Sequence, residues 1–217
     1  MNSDKLPQAI RDLMVVLAPL RIPWAIAGGW AIDLALGYQT RPHPDIDIAL
    51  FRSGQAGLRA GLPGWRFDIV IKGVFNPWEA GLWLELPVHE VHARPAVGTA
   101  APALEFLLNE QDGNEWVYRR EPAVRLPLSR AFRKVAAGLQ VLAPEIVLLY
   151  KSKSPRPSDM ADFLAAQPIL DKAGRAWLRA ALERTAPGHP SAPSVASYAN
   201  LRLTTIKGGL VWVVDES

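Results

Sequence analysis

Hydrophobic positions recur along the chain in two rhythms. The first is helical. Leu6, Ile10, Leu13, Met14 and Leu17 fall three or four residues apart, which predicts an amphipathic helix over 3–20, with Ser3 as N-cap and Asp4 at its positive end. Arg21 to Pro23 interrupt it. Trp24–Ala27 is short, apolar and closed by glycine, the profile of a buried strand, and an apolar helical segment follows over 29–37 and stops at Gly37. The second rhythm alternates. Ile46–Phe51 and Arg66–Lys72 read as strands, with a short helix over 54–62 between them. Asn76-Pro77 marks a turn, Leu82–Leu86 and Val88–Arg94 read as further strands bent at Pro87, and the Pro-, Ala- and Gly-rich stretch 95–103 reads as a junction.

From Leu104 the texture changes. Leu104–Leu108, a turn with Asp112-Gly113 and then Glu115–Arg119 form a hairpin pattern. Residues 131–137 suit a helix. Pro144 at a first helical position, Glu145 in the first turn, and Ile146, Leu149 and Tyr150 on one face predict another. Ser158 caps a helix over 159–166, and a third spans 171–184. The Pro- and Ser-rich stretch 186–199 predicts coil, and Leu201–Val214, with Lys207-Gly208-Gly209 at its middle, a terminal hairpin.

Composition narrows the function classes. A chain of 217 residues that is 49% hydrophobic, with eight Trp, has material for a sizeable core. A net charge of +3 lacks the basic excess of a dedicated nucleic-acid binder. The absence of cysteine excludes disulfides, thiol catalysis and thiolate metal sites, and fits a reducing compartment. The apolar run Leu13–Leu20 has neither a basic leader nor a small-residue cleavage site, and no window reaches membrane-spanning length. The expectation is a soluble cytoplasmic protein with no membrane partner.

Chemistry concentrates in residues 24–50, WAIAGGWAIDLALGYQTRPHPDIDIAL. Along a strand, side chains at i and i+2 share a face, so Asp45 and Asp47 point one way and Ile46 and Ile48 the other. Two carboxylates that close repel unless a cation lies between them, and Mg²⁺ favours carboxylates together with substrate phosphate. By itself this pair also suits a solvated strand end. Gly28 and Gly29, between strand and helix, let backbone approach a phosphate at a helix N-terminus. Their order, glycines on the first strand and aspartates on the next after one helix, joins phosphate donors to metal ligands.

Gly28-Gly29-Trp30 with Asp45-Ile46-Asp47 resembles the signature of the polymerase-beta-like nucleotidyltransferases. The longer string, with its Thr40-Arg41-x-His43 lead-in, is similar to aminoglycoside 2''-adenylyltransferases and lincosamide nucleotidyltransferases, and PVHEVHARP, LLNEQDGNEWVYRREP and APEIVLLYKSK extend the resemblance over residues 20–185. The resemblance implies an α/β (α+β) fold: a small mixed sheet flanked by helices, a β-hairpin extension and a C-terminal helical portion. It implies a catalytic domain over 1–95, a hairpin-plus-helical substrate-side domain over 96–187 and a terminal segment over 188–217. The implied reaction moves a nucleoside monophosphate, AMP from ATP or that of another NTP, to a hydroxyl of a small aminoglycoside-like acceptor, with two Mg²⁺ ions, in a monomer or homodimer. A tRNA- or protein-modifying enzyme, or a non-catalytic nucleotide-binding module, are alternatives on the same fold.

Such enzymes carry a third carboxylate on a later strand. Glu90, followed by His92, matches that position, with Glu where relatives have Asp; Asp68 and Glu85 are alternatives. Asp45, Asp47 and Glu90 are thus the expected catalytic and metal-binding residues, Glu90 also accepting the hydroxyl proton. Gly28, Gly29, Arg41, His43 and, by the resemblance, Lys151 are expected at the nucleotide. Solvent suits Arg41 and His43 equally, and a helix C-terminus suits Lys151. Trp116, Tyr118 and Arg119, with Arg120, are expected as a substrate wall, unless the two rings are core. Trp30 reads as core, and Asp33 receives no chemistry. Asp159 and Asp162 share a helix face, while the arginines of the second half weigh against a polycationic acceptor.

Overall fold

The computed structural model describes residues 6–95, 101–185, 201–206 and 209–214, the last two stretches by their backbone alone. Ser3, Asp4 and the coil expected over 186–199 lie outside them. The chain divides into two compact units, residues 1–143 and 144–217.

The first unit is a mixed open sheet with helices, which is the expected α/β class. Its strands are β1 (Trp24–Ile26), β2 (Asp47–Phe51), β3 (Arg66–Ile71), β4 (Val74–Pro77), β5 (Glu90–Arg94), β6 (Leu104–Asp112), β7 (Glu115–Val117), β8 (Arg125–Pro127), β9 (Phe132–Lys134) and β10 (Gln140–Leu142). They lie in the order β4-β3-β5-β6-β2-β1-β10-β9, with β7 and β8 continuing from the far end of β6. β2 pairs with β6, and β1 with β10, in parallel; the remaining pairs are antiparallel. Alternation explains the faces. In β6, Leu104, Phe106 and Leu108 are buried while Glu105 and Leu107 between them are half-buried. Ile48 and Leu50, Val91 and Ala93, and Phe67 and Ile69 lie on the same buried face by register. The opposite face carries Asp47, Glu105, His92 and Asp68 in one row across four strands.

Helix α1 (Gln8–Leu17) buries Ile10, Leu13 and Leu17, the stripe its periodicity predicts. Helix α2 (Gly28–Leu36) ends on Gly37 in the left-handed conformation. Helix α3 (Gln55–Gly61) follows β2 after a 3-10 turn. That turn supplies Arg52, whose guanidinium grips both Glu110 oxygens and donates to the carbonyls of Leu84 and Val88. Gln55 exchanges two hydrogen bonds with the Leu84 backbone. These contacts pin segment 84–88 and deliver β5 beside β6.

Several expectations are corrected. The boundary at residue 95 does not divide the sheet, because β5 before it pairs with β6 after it. Leu82–Leu86 forms no strand; Leu84 is held by Gln55 side-chain bonds instead of a ladder. Asn76-Pro77 is not a turn but the end of β4, an edge strand where a missing N–H costs no ladder bond. The chain reverses at Lys72-Gly73, both at positive φ. In place of the helix expected over 131–137, α4 (Leu128–Ala131) ends at Ala131, Phe132–Lys134 is drawn into β9 by pairing with β10, and only a 3-10 turn follows over Ala136–Gly138.

The second unit contains α5 (Pro144–Lys151), α6 (Pro157–Ala166) and α7 (Lys172–Thr185), with α5 packed on both others. Arg156, not Ser158, is the N-cap of α6; Pro157 takes the first helical position and Asp159 accepts from the Arg156 N–H. Lys151 lies within this unit, its ammonium 2.6 Å from Asp159 and 3.0 Å from Asp162, both buried. Although burial opposes it, hydrogen bonds from Arg156 and Lys151 hold the Asp159 carboxyl below the usual range. β11 (Leu201–Ile206) and β12 (Gly209–Val214) form the expected terminal hairpin.

Candidate active site

Gly28 opens α2 at φ +58°, a left-handed conformation that a side chain rarely adopts. A Cβ there would overlap the Asp47 carboxylate. Asp47 begins β2, and its carbonyl accepts from the Ala27 N–H at 2.8 Å. A Cβ on Gly29 would overlap Arg41 Nη2 and the His43 ring. The two glycines therefore make room for different partners: Gly28 for the acidic strand, Gly29 for the basic turn. Arg41 and His43 are gathered against the first turn of α2. Asp45, just before the strand, is exposed.

The row across the sheet gathers ionisable side chains from four strands. Asp47 on β2 is directly opposite Glu105 on β6, and Glu105 is opposite His92 on β5. Glu90, two residues before His92, shares its face and lies 2.6 Å from His92 Nε2. Ligand atoms of Glu90, His92 and Glu105 all lie within 4.8 Å of one another. Burial, then Asp47, Glu90 and Asp45, push the Glu105 carboxyl up to about 8. Neighbouring carboxylates that resist joint ionisation form an oxygen-rich donor set suited to a hard divalent cation.

Glu105 is the residue missed in the sequence. Its signal was a single acid between core positions of an apolar strand, Leu104 and Phe106. Glu90 enters the same cluster but stands one strand farther from Asp47. Of the alternatives, Asp68 occupies the same row, but Arg66 lies 3.4 Å from one oxygen and Arg94 3.7 Å from the other. Glu85 is exposed in the turn before β5.

The expected substrate wall divides. Trp116 is 0% exposed and donates from Nε1 to Asn109 at 2.9 Å; Tyr118, stacked on it, is 2% exposed. They are core, because alternation in the short β7 and the residue after it turns both inward. Arg119 is half-buried. Burial first, and the charges of Arg119 and Arg120 in part, lower the pKa of His89, the residue before β5. Lys151, expected at the nucleotide, is engaged by Asp159 and Asp162 within its own unit. No helix among the described residues is long and apolar enough to cross a membrane.

Residues 9–68, which include Gly28, Gly29, Asp45 and Asp47, match the family model for aminoglycoside-2''-adenylyltransferase. No curated protein matches the chain. Among solved structures it is similar to ANT(2'')-Ia in solution, described as an antibiotic-resistance factor, at 19% identity and TM-score 0.53, over 81% of this chain and 90% of that one. It is similar to ANT(2'')-Ia in complex with adenylyl-2''-tobramycin at 21% identity and TM-score 0.51, over 82% and 97%. The lincomycin-bound lincosamide antibiotic adenylyltransferase LnuA matches at 16% identity and TM-score 0.51, over 76% and 98%. Fold and motif thus coincide with the resemblance carried by the glycine pair and the acidic pair: the chain has the nucleotidyltransferase fold.

Proposed function

We propose that the protein is a Mg²⁺-dependent nucleotidyltransferase that moves AMP from ATP to a hydroxyl of a small, antibiotic-like acceptor and releases pyrophosphate. The observation that carries this reading is the placement of Asp47 between the Gly28 turn and Glu105. Asp45, Asp47 and Glu105 would hold the divalent cation, with Glu90 and His92 beside them. When bound, the cation would supply positive charge that offsets the triphosphate charge and the charge developing in the transition state.

The chain's own groups do the rest. The first turn of α2 offers backbone N–H groups to phosphate oxygens. Arg41 adds guanidinium donors at the same turn. Glu90 accepts the acceptor's hydroxyl proton, and His92, at 2.6 Å, orients its carboxylate. The hydroxyl oxygen bonds the α-phosphorus while the bond to the departing pyrophosphate breaks. The products are a nucleotidylated acceptor, pyrophosphate and a proton on Glu90.

Incubation with ATP, Mg²⁺ and an acceptor panel that includes tobramycin and lincomycin, followed by pyrophosphate measurement, tests the reading. Acceptor-dependent pyrophosphate that disappears in Asp47→Ala supports it. ATP binding without turnover across the panel would instead favour a nucleotide-binding module.

A further inference from the structure

We propose that Asp33 is the positioning residue of the phosphate-binding turn: through Thr40 and His43 it fixes segment 39–44 over the first turn of α2. The polyphosphate ligand rests on the nucleotidyltransferase reading; the fixing of the turn rests on geometry. Asp33 lies on α2 and is 2% exposed. Its Oδ1 accepts from the Thr40 hydroxyl at 2.5 Å, and its Oδ2 lies 2.5 Å from His43 Nε2. A carboxylate buried to this degree is costly unless its oxygens are met, so the turn and the helix constrain each other.

Helix termination does not require this arrangement. Gly37 already closes α2 through its N–H to the Asp33 carbonyl, leaving the Asp33 side chain for the later segment. The consequence lies at the opposite edge of the His43 ring. With Nε2 turned to Asp33, the Cε1 and Nδ1 edge occupies the space beside Gly29, next to Arg41 Nη2. The ring also packs against Trp30 at 4.6 Å between centroids. Trp30 is buried, and its indole N–H has no hydrogen-bond partner among the described residues. Arg41, His43 and this unmet donor gather where the helix begins, and Asp33 sets the position of the turn that brings them there. The same turn leads directly into Asp45 and Asp47.

The test is a double-mutant cycle on tripolyphosphate affinity, read by calorimetry on the full chain, with Asp33→Ala, His43→Ala and the pair. Each single substitution is expected to weaken binding by about tenfold, the scale of one charge-assisted hydrogen bond. The pair should lose clearly less than the sum of the two, because Asp33 acts in part through His43 and in part through Thr40. A ring ¹⁵N–¹H spectrum supplies a signature that general destabilisation does not mimic. The wild-type protein should show a slowly exchanging His43 Nε2–H that Asp33→Ala lacks, and tripolyphosphate should shift His43 Nδ1. Should Asp33→Ala fail to fold, Asp33→Asn, which preserves the shape, replaces it in the cycle. Losses that add, undiminished affinity in the Asp33 variant, or a wild-type His43 that does not respond to tripolyphosphate would overturn the proposal. Coupled binding without pyrophosphate release in the ATP assay would leave the positioning role standing and remove the nucleotidyltransferase reading; release with additive losses would do the reverse.

Discussion

Replacing Glu105 by Gln keeps the side chain's size and removes its ionisation. In the metal-free protein Glu105 is raised from 4.5 to about 8 by burial and by Asp47, Glu90 and Asp45. The folded state therefore keeps a proton that the unfolded chain releases. This contribution to stability is fully present below about 4.5 and is lost as pH rises towards about 8. Each pKa unit corresponds to about 1.4 kcal/mol. Partial exposure of the group cuts the full product by roughly half, leaving about 2 kcal/mol. Urea denaturation of chelator-treated protein between pH 5 and 9 measures it. Wild type should lose about 2 kcal/mol more than Glu105→Gln across that range. Added Mg²⁺ should restore stability to wild type at high pH and do less for the variant, which has one anionic ligand fewer. Parallel stability curves for the two proteins, with equal Mg²⁺ responses, would refute the assignment of Glu105 to the carboxylate group.

Gly28→Ala should cost about 1–3 kcal/mol in denaturation and abolish pyrophosphate release, because the added methyl meets the Asp47 carboxylate at an already left-handed φ. Trp116→Ala should lower stability by about 3–5 kcal/mol, with an unchanged KM for acceptor in whatever protein remains folded, since the ring is core and not wall. Lys151→Met should destabilise by about 3–5 kcal/mol by leaving Asp159 and Asp162 buried with one cation fewer. Asp159 titrates below its ordinary range, so wild-type stability from this group holds above about pH 4 and falls as pH drops further, visible as an acid limb in thermal melts.

The elements legible in the sequence were those with strong periodicity or a single-residue stop. The α1 stripe, the alternation of β2 and β3, and Gly37 at the end of α2 depend on neighbours within a few residues. Strand Phe132–Lys134 was not legible, because its conformation comes from pairing with β10, itself beside β1 from the start of the chain. Trp116 and Tyr118 showed the same limit in reverse: aromatic spacing on a hairpin does not say which face the sheet covers.

The sequence by itself determined the class of chemistry. A glycine pair, a helix and an acidic pair in that order bring a helix start and two carboxylates together through a single local connection, so the arrangement survives translation into structure almost unchanged. The tertiary structure decided the remainder of the site. Glu105 lies 58 positions beyond Asp47 yet faces it, because β2 and β6 are parallel neighbours, and only that pairing turns an acid in an apolar strand into a partner of the acidic pair. Asp33 looked like an ordinary helical acid until folding placed Thr40 and His43 on its two oxygens. Local order is written in spacing; the meeting of distant carboxylates depends on strand order and register, which spacing along one chain does not encode.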